Sequence, residues 1–191
     1  MHTSSRRHAG RTAILFAALT ALLVTGAPLQ AEAAPPILRP ATRGMFATFG
    51  FGPAIRLDDW PGQFQIEQAF GWHFNGTGSG PAIGVALAES FGGYWFTFNV
   101  GARFWYDIQP LANLGLYITP FGHLGFGLGS PKVGDSAATF NMIFGVEGRL
   151  ALGNRGMVFF RPLSFEFYIG DYAGANFDAR YTLLFGGGVY F

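Results

Sequence analysis

Cysteine is missing from the 191 residues, and lysine occurs once, at Lys132. The first absence excludes a disulfide framework, a cysteine-ligated zinc centre and a cysteine nucleophile. It also excludes the lipid-bearing cysteine of a bacterial lipoprotein. Charge of either sign is scarce: charged residues make up 12% of the chain and the net charge is +1. Ordinary soluble domains carry about 25% charged residues. A near-neutral chain has no basic footprint for nucleic acid. From Gly44 onward no segment carries a convincing 3.6-residue repeat, so helices are not expected there. What is abundant is apolar or small, with 50% hydrophobic residues, 22 Phe and 29 Gly. That composition is the reverse of a disordered chain.

The first segment reads as an address. Arg6, Arg7 and Arg11 precede an apolar run from Ala13 to Ala27, Pro28 breaks it, and Ala31-Glu32-Ala33 has the small-x-small form of a cleavage site. A charged start, a short apolar stretch and such an end describe a secretory signal peptide, expected over 1–33 and cleaved. The run is shorter than the roughly 20 apolar residues of a membrane-spanning helix. Residues 34–43 form a short Pro-containing lead-in, and 44–191 a single domain. Without Glu32 and the three early arginines, ten acids face nine bases.

Within 44–191 the hydrophobic period is two. Phe96, Phe98, Val100, Ala102, Phe104, Tyr106 and Ile108 share one face, while Thr97, Asn99, Gly101, Arg103, Trp105 and Asp107 share the other. Residues 139–152 repeat the pattern, and 45–55, 63–74, 81–90, 115–128, 157–169 and 179–191 follow it less cleanly. Asn75-Gly76, Gly92-Gly93, Gly153-Asn154 and other turn residues separate these runs, which is hairpin chemistry. Eight strands with short connections leave no room for crossover helices, so the expected sheet is an all-β antiparallel meander.

The composition of the less greasy face decides its surroundings. A water-exposed face would be dense in Lys, Glu and Asp; this one is mostly Gly, Ala, Thr, Asn and Tyr with occasional charges. Such a face suits a narrow lumen, and the Phe/Leu/Val/Ile face suits lipid. In hydrocarbon every backbone amide must be paired, so the strands must close into a barrel. Eight strands enclose a space just wide enough for side chains to fill. With the amino terminus in the periplasm, Trp72, Phe74, Trp105, Tyr106, Tyr190 and Phe191 should line one membrane interface. Trp60, Phe64, Phe91, Tyr94, Tyr168 and Tyr181 should line the other, as two aromatic girdles.

By parity the lumen holds Glu67, Arg103, Asp107, Glu147, Arg149, Glu166 and Arg180, with Gln65, Asn99 and Asn141 around them. Four acids against three arginines suggest a charge-paired plug, since buried charges must be paired; the other reading is a selectivity filter or gate. His73 and His123 lie on different strands without the spacing of a metal pair, so neither a metal nor a cofactor is expected. No catalytic residue stands out. Three residues resist the pattern. Pro120 and Pro162 fall inside strands, where a closed barrel has no free edge, so each predicts a β-bulge or a disrupted pair. Arg161 falls on the lipid face unless a bulge at Arg161-Pro162 turns it inward. Gln68 is a milder exception.

The chain ends Tyr181-Thr182-Leu183-Leu184-Phe185-Gly186-Gly187-Gly188-Val189-Tyr190-Phe191. This resembles the carboxy-terminal strand that the outer-membrane barrel assembly machinery of Gram-negative bacteria reads. Gly186, Val189 and Phe191 match that pattern, although Val189 is not aromatic and Leu184 stands where a polar residue is usual. Over the mature chain the resemblance is to the small eight-stranded outer-membrane barrels of the OmpA/OmpX type. It implies an outer-membrane location, with lipid and lipopolysaccharide around the wall. It also implies periplasmic chaperones and the assembly machinery as partners during biogenesis. The expected role is non-enzymatic, structural or surface-interacting, with a plugged lumen. A narrow pore for small solutes is the first alternative. A lipid A-modifying enzyme is another, with His123, Asp135 and Ser136 as the residues to examine, although His123 is followed by Leu124-Gly125 and not by the His-x-Ser of the deacylases. A soluble barrel binding an apolar ligand inside is the third.

Overall fold

Period-two alternation sends successive side chains to opposite faces of a strand, and the computed structural model carries that alternation through nine strands. It describes Leu38 and residues 40–57, 62–92, 95–111, 114–131, 136–172 and 175–191. The expected signal peptide, Trp60, Tyr94 and Asp135 lie outside the described residues. The strands are β1 (Met45–Arg56), β2 (Gln63–His73), β3 (Gly80–Gly92), β4 (Trp95–Asp107) and β5 (Leu116–Pro131), followed by β6 (Ala137–Leu152), β7 (Gly156–Tyr172), β8 (Ala175–Thr182) and β9 (Leu184–Tyr190). Each pairs antiparallel with its sequence neighbour, except that β8 and β9 together form one last stave against β7 on one side and β1 on the other. The sheet is thus an eight-stave closed barrel, and closure removes both edges.

The register also sets the tilt. Following pairs from Ala47 through Phe70, Val85, Ala102, Leu124, Met142, Phe167 and Ala179 returns to Leu57, one residue past the end of β1 and ten residues farther on. A stagger of that kind requires the strands to lean by about 35–45° to the barrel axis. Neighbouring staves approach closely where glycine faces inward: a Cβ on Gly84 would stand 1.9 Å from the carbonyl oxygen of Phe70.

Three prolines interrupt the ladder, each in a readable way. Pro53 of β1 accepts a hydrogen bond from the Leu183 amide at 3.1 Å but has no N–H to return one. The last stave breaks into β8 and β9 at that residue. Pro120 pairs with Val146 on β6, while its pairing with β4 stops at Trp105↔Phe121 and resumes only at the Ile108↔Ile118 bridge. At Pro162 the β7 strand carries one extra residue against both neighbours: Val146 and Gly148 pair with Leu163 and Phe160, and Tyr181 and Leu184 with Phe165 and Arg161. This is a β-bulge, which changes the parity of a strand. Below it Met157, Phe159 and Arg161 face inward; above it Ser164, Glu166 and Tyr168 do.

The outer wall is predominantly apolar, with Phe49, Phe51, Phe70, Val85, Phe104, Leu124, Phe126, Phe144, Phe160 and Phe185 among its exposed side chains. Of the expected girdles, Trp72, Phe74, Tyr106 and Phe191 do point outward near the end where β1 begins, the basal end, and Phe64 does so near the opposite, apical end. Trp105, Tyr190 and Tyr168 do not. All three are buried inside the barrel, because each stands on the inward parity of its strand. They fill the interior instead of marking an interface. Gln68 faces outward as its parity requires, and so does Glu89, two residues beyond Gln68's cross-strand partner Leu87.

Candidate functional site: the barrel interior

Small residues on the inward face of β1 to β3 leave room for long side chains from β4 to β8. Gly50, Gly52, Ala54, Ala69, Gly71, Ala82, Gly84, Ala86 and Ala88 line the first half of the wall. Into that space project four arginines, Arg103, Arg149, Arg161 and Arg180, all buried.

The basal layer is aromatic. Phe46, Trp105, Tyr117 and Tyr190 pack with Met157 and Ala151, Phe46 lying edge-on to Trp105 at 5.2 Å between centroids. His73 sits against Phe46. Its Nε2 is 2.7 Å from Asp107 Oδ2 and its Nδ1 is 3.0 Å from the Gly44 carbonyl oxygen. Asp107 also accepts from the Thr119 hydroxyl and, at 3.1 Å, from Arg149 Nη1.

Above this layer the charges form one connected lattice. Arg149 Nε donates to Glu147 Oε1 at 2.6 Å. Arg161 donates to Glu147 Oε2 at 2.9 and 3.1 Å and to Glu67 at 2.7 and 2.9 Å. Arg103 grips the same Glu67 with both Nη atoms, one of them at 2.8 Å. The Phe121 ring lies against two of the cations, 4.4 Å from the Arg161 guanidinium carbon and 4.9 Å from that of Arg103. Such cation–π contacts offset part of the like-charge repulsion.

The apical layer is a second cluster. Gln65 Nε2 donates to Glu166 Oε1 at 3.0 Å, Tyr168 donates to Glu166 Oε2 at 2.9 Å, and Asn99 donates to Tyr168 at 2.7 Å. Arg180 donates to Glu166 and Tyr168, and reaches Gln63 Oε1 at 2.7 Å. At the rim Arg56 pairs with Asp178 at 3.0 Å. Between the two clusters stand His123 and Asn141, buried, with neither ring nitrogen and neither amide atom bonded among the described residues.

The structure therefore gathers all seven expected lumen charges inside the barrel, in two groups: Glu67, Arg103, Asp107, Glu147 and Arg149 in the lower, Glu166 and Arg180 in the upper. It adds Arg161, which balances four acids with four arginines. Simple parity missed Arg161; the adjacent Pro162 was the signal. The Arg56–Asp178 pair and the structural role of Tyr168 carried no signal beyond parity. Glu89, on the outer wall, was also passed over. His123 and Ser136 are not brought together: Ser136 Oγ donates to Ser130 Oγ at 3.1 Å at the exposed apical end, while His123 is enclosed in the interior. No group of three metal-binding side chains occurs among the described residues. At the carboxyl end Phe191 exchanges backbone hydrogen bonds with Met45, at 2.9 and 3.3 Å, and Gly186 and Val189 lie in the β9 pairing with β1 and β7.

No protein-family model and no curated protein sequence matches the chain. Solved structures do. Neisserial surface protein A superposes with a TM-score of 0.60 at 13% identity, over 78% of this chain and 97% of that one. The amino-terminal β-barrel domain of Pseudomonas aeruginosa OprF gives 0.56 at 9% identity, over 78% and 98%. Ail, the attachment invasion locus protein of Yersinia pestis, gives 0.54 at 15% identity, over 78% and 100%. At these identities the likeness is one of fold, and the fold is the eight-stranded antiparallel barrel.

Proposed function

We propose that this protein is a non-enzymatic barrel of the Gram-negative outer membrane, closed by its own side chains, with a structural or surface-interaction role. The observation that carries the reading is the position of Arg161. It spans the lumen from the β7 bulge and holds Glu67 of β2 and Glu147 of β6 at once, so charge pairing occupies the cross-section where a solute would pass. The largely apolar outer wall around eight staves supports a membrane setting. The basal end, carrying the short turns at 74–79 and 153–155, would face the periplasm. The apical loops would meet lipopolysaccharide or a partner. Assembly would use Gly186, Val189 and Phe191 as the terminal signal.

Planar-bilayer recording of the refolded protein tests the closed lumen. Expected is a flat trace without unitary steps, whereas reproducible steps in every active preparation favour the narrow pore. The enzymatic alternative is checked by mass spectrometry of lipid A from cells with and without the protein, and the two profiles should coincide.

A further inference from the structure

Leu38 and residues 40–44 do not extend the barrel wall; they lie across its basal opening. The Gly44 carbonyl accepts from the His73 amide of β2 at 2.7 Å. Ala41 N–H donates to the Tyr117 hydroxyl of β5 at 2.8 Å, and the Ala41 carbonyl accepts from Gly78 N–H, in the β2–β3 turn, at 3.2 Å. Leu38 then forms an isolated antiparallel bridge with Leu152, at the end of β6. β2 and β6 are four staves apart in a wall of eight, so the segment spans the diameter of the mouth.

Ala41 is 5% exposed and belongs to the cluster of Phe46, Tyr117, Ala151, Met157 and Tyr190. Gly78 is buried although residues 74–77 before it are exposed. Its φ is not positive, so its backbone would accept any residue. A Cβ there, however, would stand 2.1 Å from the Cβ of Ala41. Glycine at 78 answers to the crossing segment and not to the turn. Among the described residues the segment is held by one bridge and a few discrete hydrogen bonds, while each wall strand is held by a ladder on both sides. Elements with so few bonds open locally at a small fraction of the global cost.

We propose that the basal mouth is a docking site for an extended peptide with a small side chain at its centre, filled in cis by Leu38 and residues 40–44, which act as a strap that detaches while the wall stays folded. Recognition is by main-chain hydrogen bonds plus one tight pocket, as in strand-addition complexes. The Tyr117 hydroxyl and Gly78 amide read the backbone, and Gly78 limits the side chain. The lower ion cluster lies deeper than these contacts, so conductance reports on that cluster and strap release does not depend on it.

The chain has no cysteine, so one introduced thiol is a clean reporter. Met157→Cys places it in the covered cluster and removes volume. In the refolded full-length protein it should resist a membrane-impermeant maleimide added from the basal side. Gly78→Val, or deletion of residues 34–43, should raise the labelling rate by about tenfold or more, the scale of a local opening made permanent. Throughout, the heat-dependent gel shift of a closed barrel should be retained. A synthetic peptide of residues 37–43 should restore protection to the deleted form, and the same peptide with Ala41→Trp should not. Equal labelling with and without the strap overturns the proposal. So does loss of the heat shift in both the Gly78→Val and the deleted protein, because the strap would then be part of the wall's stability and not separable from it. Failure of the peptide to protect removes the docking site.

Discussion

Arg161→Met should destabilise the barrel by about 3–5 kcal/mol, the cost of breaking a buried ion pair by removing one partner. Arg161 donates four hydrogen bonds, two to each of Glu67 and Glu147, and both carboxylates are almost wholly buried. Glu67 would keep Arg103 and Glu147 would keep Arg149, so the loss should fall short of two orphaned charges. Urea titration of the protein in lipid vesicles, read by the heat-dependent gel shift, measures it. Arg161→Met combined with Glu147→Gln should recover part of the loss, because it neutralises the acid left in excess while Arg149 keeps Asp107 as its partner. If the double variant is no more stable than the single one, the lattice is not electrostatically coupled as described. The single variant is also the one in which bilayer recording should first show steps, since Arg161 alone spans from the bulge to both acids.

Phe144→Arg tests the opposite surface. Phe144 is half exposed, midway along β6, on the apolar wall. An arginine on the lipid face near the bilayer midplane costs about 2–4 kcal/mol, and near an interface about 0–1 kcal/mol. Phe177→Arg, two residues from the apical start of β8, should therefore be tolerated. The contrast between the two, measured by the same titration, depends only on depth in the membrane. Equal effects would mean that the wall is not buried in lipid. A gain in solubility without detergent would point to the soluble reading, in which that face has another use.

The local chemistry made most of the wall legible. Alternation along 94–108 and 139–152 placed Asn99, Arg103, Asp107, Asn141, Glu147 and Arg149 correctly on the inward face, because side-chain direction in a regular strand depends only on parity. The same rule, applied consistently, would have taken Trp105, Tyr168 and Tyr190 inward. A preference for aromatic residues at membrane interfaces put them outside instead. Inside, the Tyr168 hydroxyl has Asn99, Glu166 and Arg180 to bond, and Trp105 meets Phe46 edge-on.

The sequence by itself determined the number of staves, the antiparallel order, the apolar outer face and the presence of charges inside, all of which follow from period and from turn residues close together in the chain. Only the tertiary structure decided which charge meets which. Glu67 and Arg161 are 94 residues apart, and their contact depends on the summed stagger of eight strand pairs and on one extra residue at Pro162. The seating of Ala41 against Gly78 and Tyr117 was hidden for the same reason. Parity is a property of one strand, whereas the partner across a lumen or a mouth is set by closure of the whole sheet.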